Sequence, residues 1–101
     1  MLESLYNVLL DRKINPRKDS YTSSLLYHKK GINKILEKVA EECIEVILAA
    51  KNENKKEVIE ETADLFYHVL VLLVKLDIKL EEVWDELEKR RKNKNVRNLD
   101  G

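Results

Sequence analysis

The sequence predicts an all-α bundle of four to five helices, on three observations. Only 2 Gly and 1 Pro interrupt 101 residues, too few for the many turns of a β fold. Hydrophobic residues make up 44% and charged residues 38%, a mixture that suits amphipathic helices joined by short turns. Apolar residues also recur three and four apart, as a 3.6-residue period requires. This length is one domain's worth, able to bury roughly 60 to 70% of its unfolded surface. We place that domain at residues 1–92 and assign 93–101 to a basic tail.

Each element has its own signal. Leu2, Leu5, Tyr6, Leu9 and Leu10 share a helical face, and this first helix stops before Asn15-Pro16, because proline disfavours helix in the residue before it. Ser20 is placed to cap a short second helix, expected to run through Lys30 and to end at Gly31. Ile32 to Asn52 reads as one long helix, Asn52 to Asn54 as its break, and Lys55 to Leu76 as a second long helix. Their short connection predicts antiparallel packing. After a break at 77–79, Leu80, Val83, Trp84 and Leu87 mark a last helix leading into KRRKNKNVR.

Lysine plus arginine number 19 and aspartate plus glutamate 19, so the whole chain is no generic polyanion binder, and nucleic acid is not expected as a partner. The charge is unevenly spread. Residues 1–40 carry eight Lys/Arg against four acids, whereas residues 41–64 carry eight acids against three lysines. Acid is concentrated mid-chain between basic ends. One cysteine, Cys43, excludes an intrachain disulfide framework, and its place near the apolar arc predicts a small core residue. No apolar run approaches the ~20 residues of a membrane helix, and MLESLYNVLLDRK lacks the order of a secretory signal. A cytoplasmic protein without membrane contact is expected.

The informative stretch is AEECIEVILAAKN, where Glu42 and Glu45 stand among apolar residues. At 100° per residue Glu42 lies next to Ile35 and Val46 at the edge of the apolar arc, with Lys38 and Glu45 just beyond it. On the next helix Glu57, Glu60, Glu61, Asp64 and His68 form a narrow stripe, and apolar residues cover most of the remaining circumference. So wide an apolar face predicts a partner subunit, most simply a twofold homodimer. If the two helices face one another, Glu42 and Glu45 approach Glu61 and Asp64. Four converging carboxylates repel unless protons or a hard cation neutralise them, and Mg²⁺ prefers all-oxygen surroundings shared with substrate phosphates. Either acidic motif alone is common on solvated helix faces; their pairing on successive apolar helices is what points to a site.

KVAEECIEVILAAKN followed by EETADLFYHVLVLL, with SYTSSLL upstream, resembles the phosphoribosyl-ATP pyrophosphatase family, within the MazG-like all-α nucleotide pyrophosphohydrolases. The resemblance covers roughly residues 2–90. It implies hydrolysis of phosphoribosyl-ATP to phosphoribosyl-AMP and pyrophosphate in histidine biosynthesis, Mg²⁺ dependence and a helical homo-oligomer. By position it implies that Glu42, Glu45, Glu61 and Asp64 are metal ligands, with Glu41 supporting them or orienting water. Phosphoribosyl-ATP and water are then the substrates, and Glu41 and Glu42 the residues assigned to catalysis. Lys38 is suited to a phosphate oxygen or to pairing with Glu42. Asn52 stands either as a substrate contact or as a helix cap, and Ser20, Tyr21 and Thr22 match the family's substrate segment, with Ser20 equally a plain N-cap. Ser24 stands where many relatives have lysine, and Lys79 where a Ser-like cap is common, which predicts a frayed start to the last helix. The segment is expected to act without the cyclohydrolase domain fused to it in some organisms.

Two further functions compete. A general nucleoside triphosphate pyrophosphohydrolase would share the acidic motifs. A non-catalytic dimerisation or nucleic-acid-binding module would rest on the apolar faces and the basic tail. A di-iron bundle is disfavoured, because the positions three after Glu42 and Glu61 hold Glu45 and Asp64 rather than histidine. His68, one turn beyond Asp64, reads as a hydrogen-bonded buried residue ahead of a ligand to a softer metal, His28 as surface, and Trp84 as packing.

Overall fold

The computed structural model describes residues 1–92; the basic tail proposed for 93–101 lies outside them. Among the described residues there are five helices and no strand: α1 (Leu2–Ile14), α2 (Tyr21–Leu26), α3 (Ile32–Lys51), α4 (Lys55–Lys75) and α5 (Leu80–Lys92). The all-α expectation holds. α3 and α4 form a long hairpin about the turn at 52–54, where Glu53 takes φ 55° and the Asn54 side chain accepts the Glu57 N–H at 3.1 Å, capping α4. α1 and α2 pack across the hairpin.

The core joins Tyr6 and Leu9 of α1, Leu25 and Leu26 of α2, Ile35 of α3, Leu70, Val71 and Val74 of α4, and Leu80 of α5. It lies at the end of the hairpin away from the 52–54 turn. Helix ends there are tied by long side chains. Lys13 Nζ donates to the Val74 carbonyl at 3.0 Å and to Asp77 Oδ1 at 2.6 Å, and Lys75 Nζ donates to the Leu26 carbonyl at 2.8 Å. Buried Ser23 donates to the Arg12 carbonyl and accepts the Arg17 N–H, each at 3.1 Å, holding the loop that carries Pro16. The Tyr6 hydroxyl donates to the Ile78 carbonyl at 2.8 Å.

Four expectations change. α2 ends at Leu26 instead of Lys30, because the His28 ring takes the Lys30 N–H at 3.0 Å and the Gly31 N–H closes a turn onto His28 at 2.9 Å. Gly31, expected to end α2, precedes α3 at φ 61° and ψ −142°, a backbone that glycine reaches with least strain. Cys43 is exposed instead of entering the core. α3 buries only the side that meets α4 and α2, and Ile44, Ile47 and Leu48 beside Cys43 are exposed too. Finally, α5 does not need the missing cap. Glu82 in its first turn accepts the Lys79 N–H at 2.8 Å, which is half of a capping box.

Among the described residues no helix is long and apolar enough to cross a membrane. Leu9, 2% exposed at the centre of the core, gives the fold its simplest test. Leu9→Ala should lower unfolding free energy by about 2 to 5 kcal/mol in urea titrations, with helical circular dichroism retained below the transition; a loss under about 1 kcal/mol would contradict this packing.

Candidate active site

α3 presents Glu42 to α4, and α4 answers with Glu61 and Asp64 one turn apart. One carboxylate oxygen from each of these three residues lies within 4.8 Å of the others. The Glu42 side chain is only 12% exposed, and its Oε2 is buried with no hydrogen-bond partner among the described residues. That orphan is unusual, since a buried carboxylate oxygen ordinarily finds a donor. The Glu61 carboxyl is held above the usual range, first by partial withdrawal from water, then by the adjoining Glu42 carboxyl and by the charges of Glu42, Asp64 and Glu45. Oxygen donors, a net negative charge and an unsatisfied buried acceptor together fit a hard divalent cation.

The other expected residues divide around this centre. Glu45 is exposed and lies outside the three-carboxylate group, contributing charge to Glu61. Lys38 Nζ is 3.0 Å from Glu41 Oε2 and 4.0 Å from Glu42 Oε1, so its main partner is one turn ahead at i+3. This pairing raises the Lys38 ammonium and lowers the Glu41 carboxyl. Glu41 is exposed beside Glu42, ionised and held by Lys38. Ser20 caps α2, its side chain accepting the Ser23 N–H at 3.1 Å. Asn52 ends α3, ten residues and so about 15 Å along the axis from Glu42, and within one chain it is not brought to the acids.

The start of α2 is fastened to α4 just beyond Asp64. Thr22, buried, shares a hydrogen bond with the Tyr67 hydroxyl, and the Tyr21 hydroxyl lies 3.2 Å from His68 Nε2. The Tyr21 and Tyr67 rings stack at 6.2 Å. Burial raises the Tyr67 phenol, keeping it protonated as a hydrogen-bonding group. Tyr67 was not among the residues singled out from the sequence. Its signal was its position three after Asp64, which returns it to the same flank of α4.

These acids make stability depend on pH when no cation is bound. A Glu61 carboxyl raised in the folded chain holds more proton than in the unfolded chain, so stability falls as pH rises from the ordinary glutamate value through the folded one. In chelator, the melting temperature of the unaltered chain should therefore drop across that window. Glu42→Gln should melt higher and with a flatter profile, since it removes a neighbouring charge; equal slopes for both proteins would contradict the coupling.

Comparison with known proteins identifies the family of the chain. Residues 2–91 match the family model described as phosphoribosyl-ATP pyrophosphohydrolase. The chain is 52% identical over 92 residues to a protein of Methanocella arvoryzae named phosphoribosyl-ATP pyrophosphatase, covering 91% of this chain and 97% of that relative. A Clostridium novyi protein of the same name is 54% identical over 92 residues, covering 91% of this chain and 82% of its own length. A third, from Methanococcoides burtonii, is 52% identical over 91 residues, covering 90% and 92%. With nearly the whole chain matched and identity near half, this protein belongs to the phosphoribosyl-ATP pyrophosphohydrolase family.

Proposed function

We propose that this chain hydrolyses phosphoribosyl-ATP to phosphoribosyl-AMP and pyrophosphate, as an Mg²⁺-dependent enzyme of histidine biosynthesis. The observation that carries the reading is the buried, unpartnered Oε2 of Glu42 facing Glu61 and Asp64, set in a chain whose relatives bear that enzyme's name.

Glu42, Glu61 and Asp64 would hold Mg²⁺, with Glu45 joining them by a change of rotamer. Bound there, the cation supplies charge neutralisation for the triphosphate and its leaving pyrophosphate. The chain's own residues then position the reactants. Lys38, whose ammonium already sits 3.0 Å from Glu41, offers a positive contact to a phosphate oxygen at the rim of the acids. Glu41, with its carboxyl lowered by Lys38, is a weak base and a good hydrogen-bond acceptor; it suits orienting a water molecule better than stripping it of a proton. No side-chain nucleophile is required. Ser20, Tyr21 and Thr22 form the substrate segment, and Asn52, too far from Glu42 within one chain, would serve a site to which a second subunit contributes.

That second subunit is the proposed homodimer partner. Ile47 is 58% and Phe66 53% exposed, and Ile44, Leu48 and Ile59 are exposed as well. They lie along the hairpin outside the core, a larger apolar flank than an isolated domain of this size needs to leave in water.

Two experiments test the proposal. Pyrophosphate release should be measured with Mg²⁺ and either phosphoribosyl-ATP or a panel of nucleoside triphosphates. Preference for phosphoribosyl-ATP is expected, and Glu42→Gln and Asp64→Asn should each lose about a hundred-fold or more in kcat/KM with the fold intact. No pyrophosphate release from any of these substrates by the unaltered chain would favour a non-catalytic module, activity retained in both variants would remove the acids from the site, and equal turnover of the simple triphosphates would favour a general pyrophosphohydrolase. In sedimentation at micromolar concentration the unaltered chain should run as a dimer and Ile47→Asp as a monomer; a monomeric unaltered chain would remove the partner.

A further inference from the structure

His68 is buried, 5% exposed, and both its ring nitrogens are engaged. Nδ1 lies 2.7 Å from the backbone carbonyl of Asp64. A carbonyl oxygen only accepts, so Nδ1 carries the hydrogen, and Nε2 is left to its one neighbour, the Tyr21 hydroxyl at 3.2 Å. The hydroxyl is thereby engaged by the protein itself. What Tyr21 leaves to a ligand is its ring, in a residue 52% exposed, braced by Tyr67 in a near-parallel stack at 20° and by the His68 edge at 81°.

We propose that His68 is a positioning residue that locks Tyr21, and that Tyr21 offers its ring to the nucleoside part of the substrate, the base or ribose, leaving the phosphates to Lys38 and the bound cation. The inference rests on the phosphoribosyl-ATP reading and deepens it by assigning recognition of the nucleoside to the α2 side of the site. Placement supports it. Lys38 and His68 stand fifteen residues before and after Glu53, at one level of the hairpin, so Tyr21 borders the lysine side of the acids. Lys38 is close enough to feel the Tyr21 hydroxyl. The chain Asp64 carbonyl, His68, Tyr21 thus transmits the position of the acidic helix to the substrate segment.

The test uses the full chain with phosphoribosyl-ATP and Mg²⁺. Tyr21→Phe keeps the ring and removes the tether; KM should rise about five-fold with kcat within about two-fold, because binding away from the reacting phosphorus is shared by ground and transition states. Tyr21→Leu should raise KM further. His68→Asn can still bond the Asp64 carbonyl but falls short of Tyr21, and should match Tyr21→Phe, with the double variant no worse than either. His68→Gln, long enough to accept from Tyr21, should recover most of the loss. The Mg²⁺ concentration for half activity should stay unchanged in Tyr21→Phe. Unchanged KM in Tyr21→Phe and His68→Asn, additive losses in the double variant, or Gln no better than Asn would overturn the inference while leaving the enzyme. No pyrophosphate from the unaltered chain would overturn the substrate reading and this inference with it.

Discussion

The register of the α3–α4 hairpin is the constraint on which the site depends. In an antiparallel pair of helices, residues equally far from the turn stand at one level. Glu42 and Asp64 are each eleven residues from Glu53, Glu45 and Glu61 each eight, Lys38 and His68 each fifteen. A one-residue change in the turn would rotate one helix by 100° against the other and scatter these groups. The turn is accordingly well specified. Glu53 reverses the chain at φ 55°, the Asn54 N–H returns to the Ala49 carbonyl at 3.2 Å, and the Asn54 side chain caps α4. Level alone does not bring four acids together, because azimuth also counts. Glu42 is turned inward beside Ile35 and Val46, whereas Glu45 points out to water.

Forcing like charges together must be offset elsewhere, and the chain does so by separating the site from its core. Leu9, Leu25, Leu26, Ile35, Val71 and Val74, all fully buried, cluster with α1 and α2 at one end of the hairpin, each contributing about 1.5 to 3 kcal/mol by burial. The acids sit between that packed end and the turn, on helices held straight by their own hydrogen bonds. Repulsion there can be borne without loosening the core. Stored this way, it would become part of the proposed cation binding. Any ion that pairs with Glu42 Oε2 satisfies an orphan acceptor and displaces the proton that Glu61 holds more tightly than usual.

Much of this was legible because helical periodicity encodes faces. Glu42 at the margin of the apolar arc, the stripe Glu61, Asp64, His68, the Ser20 cap and the break at 52–54 are all local properties of the chain, and the structure reproduces them. What escaped depends on side-chain contacts that periodicity does not encode. The local turn about His28 ends α2 at Leu26, and Lys75, forty-nine residues away, then takes the Leu26 carbonyl. Tyr67 drew no notice because a tyrosine in FYHVL is indistinguishable from packing until Thr22 and Tyr21 are laid against it. Cys43 was misjudged because a wide apolar arc says that something covers it without saying that this chain does.

That last point bears on the site. The exposed residues Ile44, Ile47, Leu48 and Ile59 lie on the outer side of the same two helices that carry the acids, so a partner covering them packs against the scaffold that holds the unsatisfied Glu42 carboxylate. In the proposed dimer, covering this apolar flank changes the acids. Excluding water from the flank lowers the local dielectric, which strengthens the repulsion among Glu42, Glu61 and Asp64 and, by the same factor, their attraction for a divalent cation. An isolated chain meets this conflict by leaving Asp64 in water and Glu61 partly so. A covered chain loses that outlet, and its remaining ways to neutralise the acids are a proton or a metal. Assembly and cation binding would then reinforce one another, each supplying what the other lacks. In that case the apolar residues that make the sequence look overfilled with hydrophobic surface are part of what would tune the acids for phosphate chemistry.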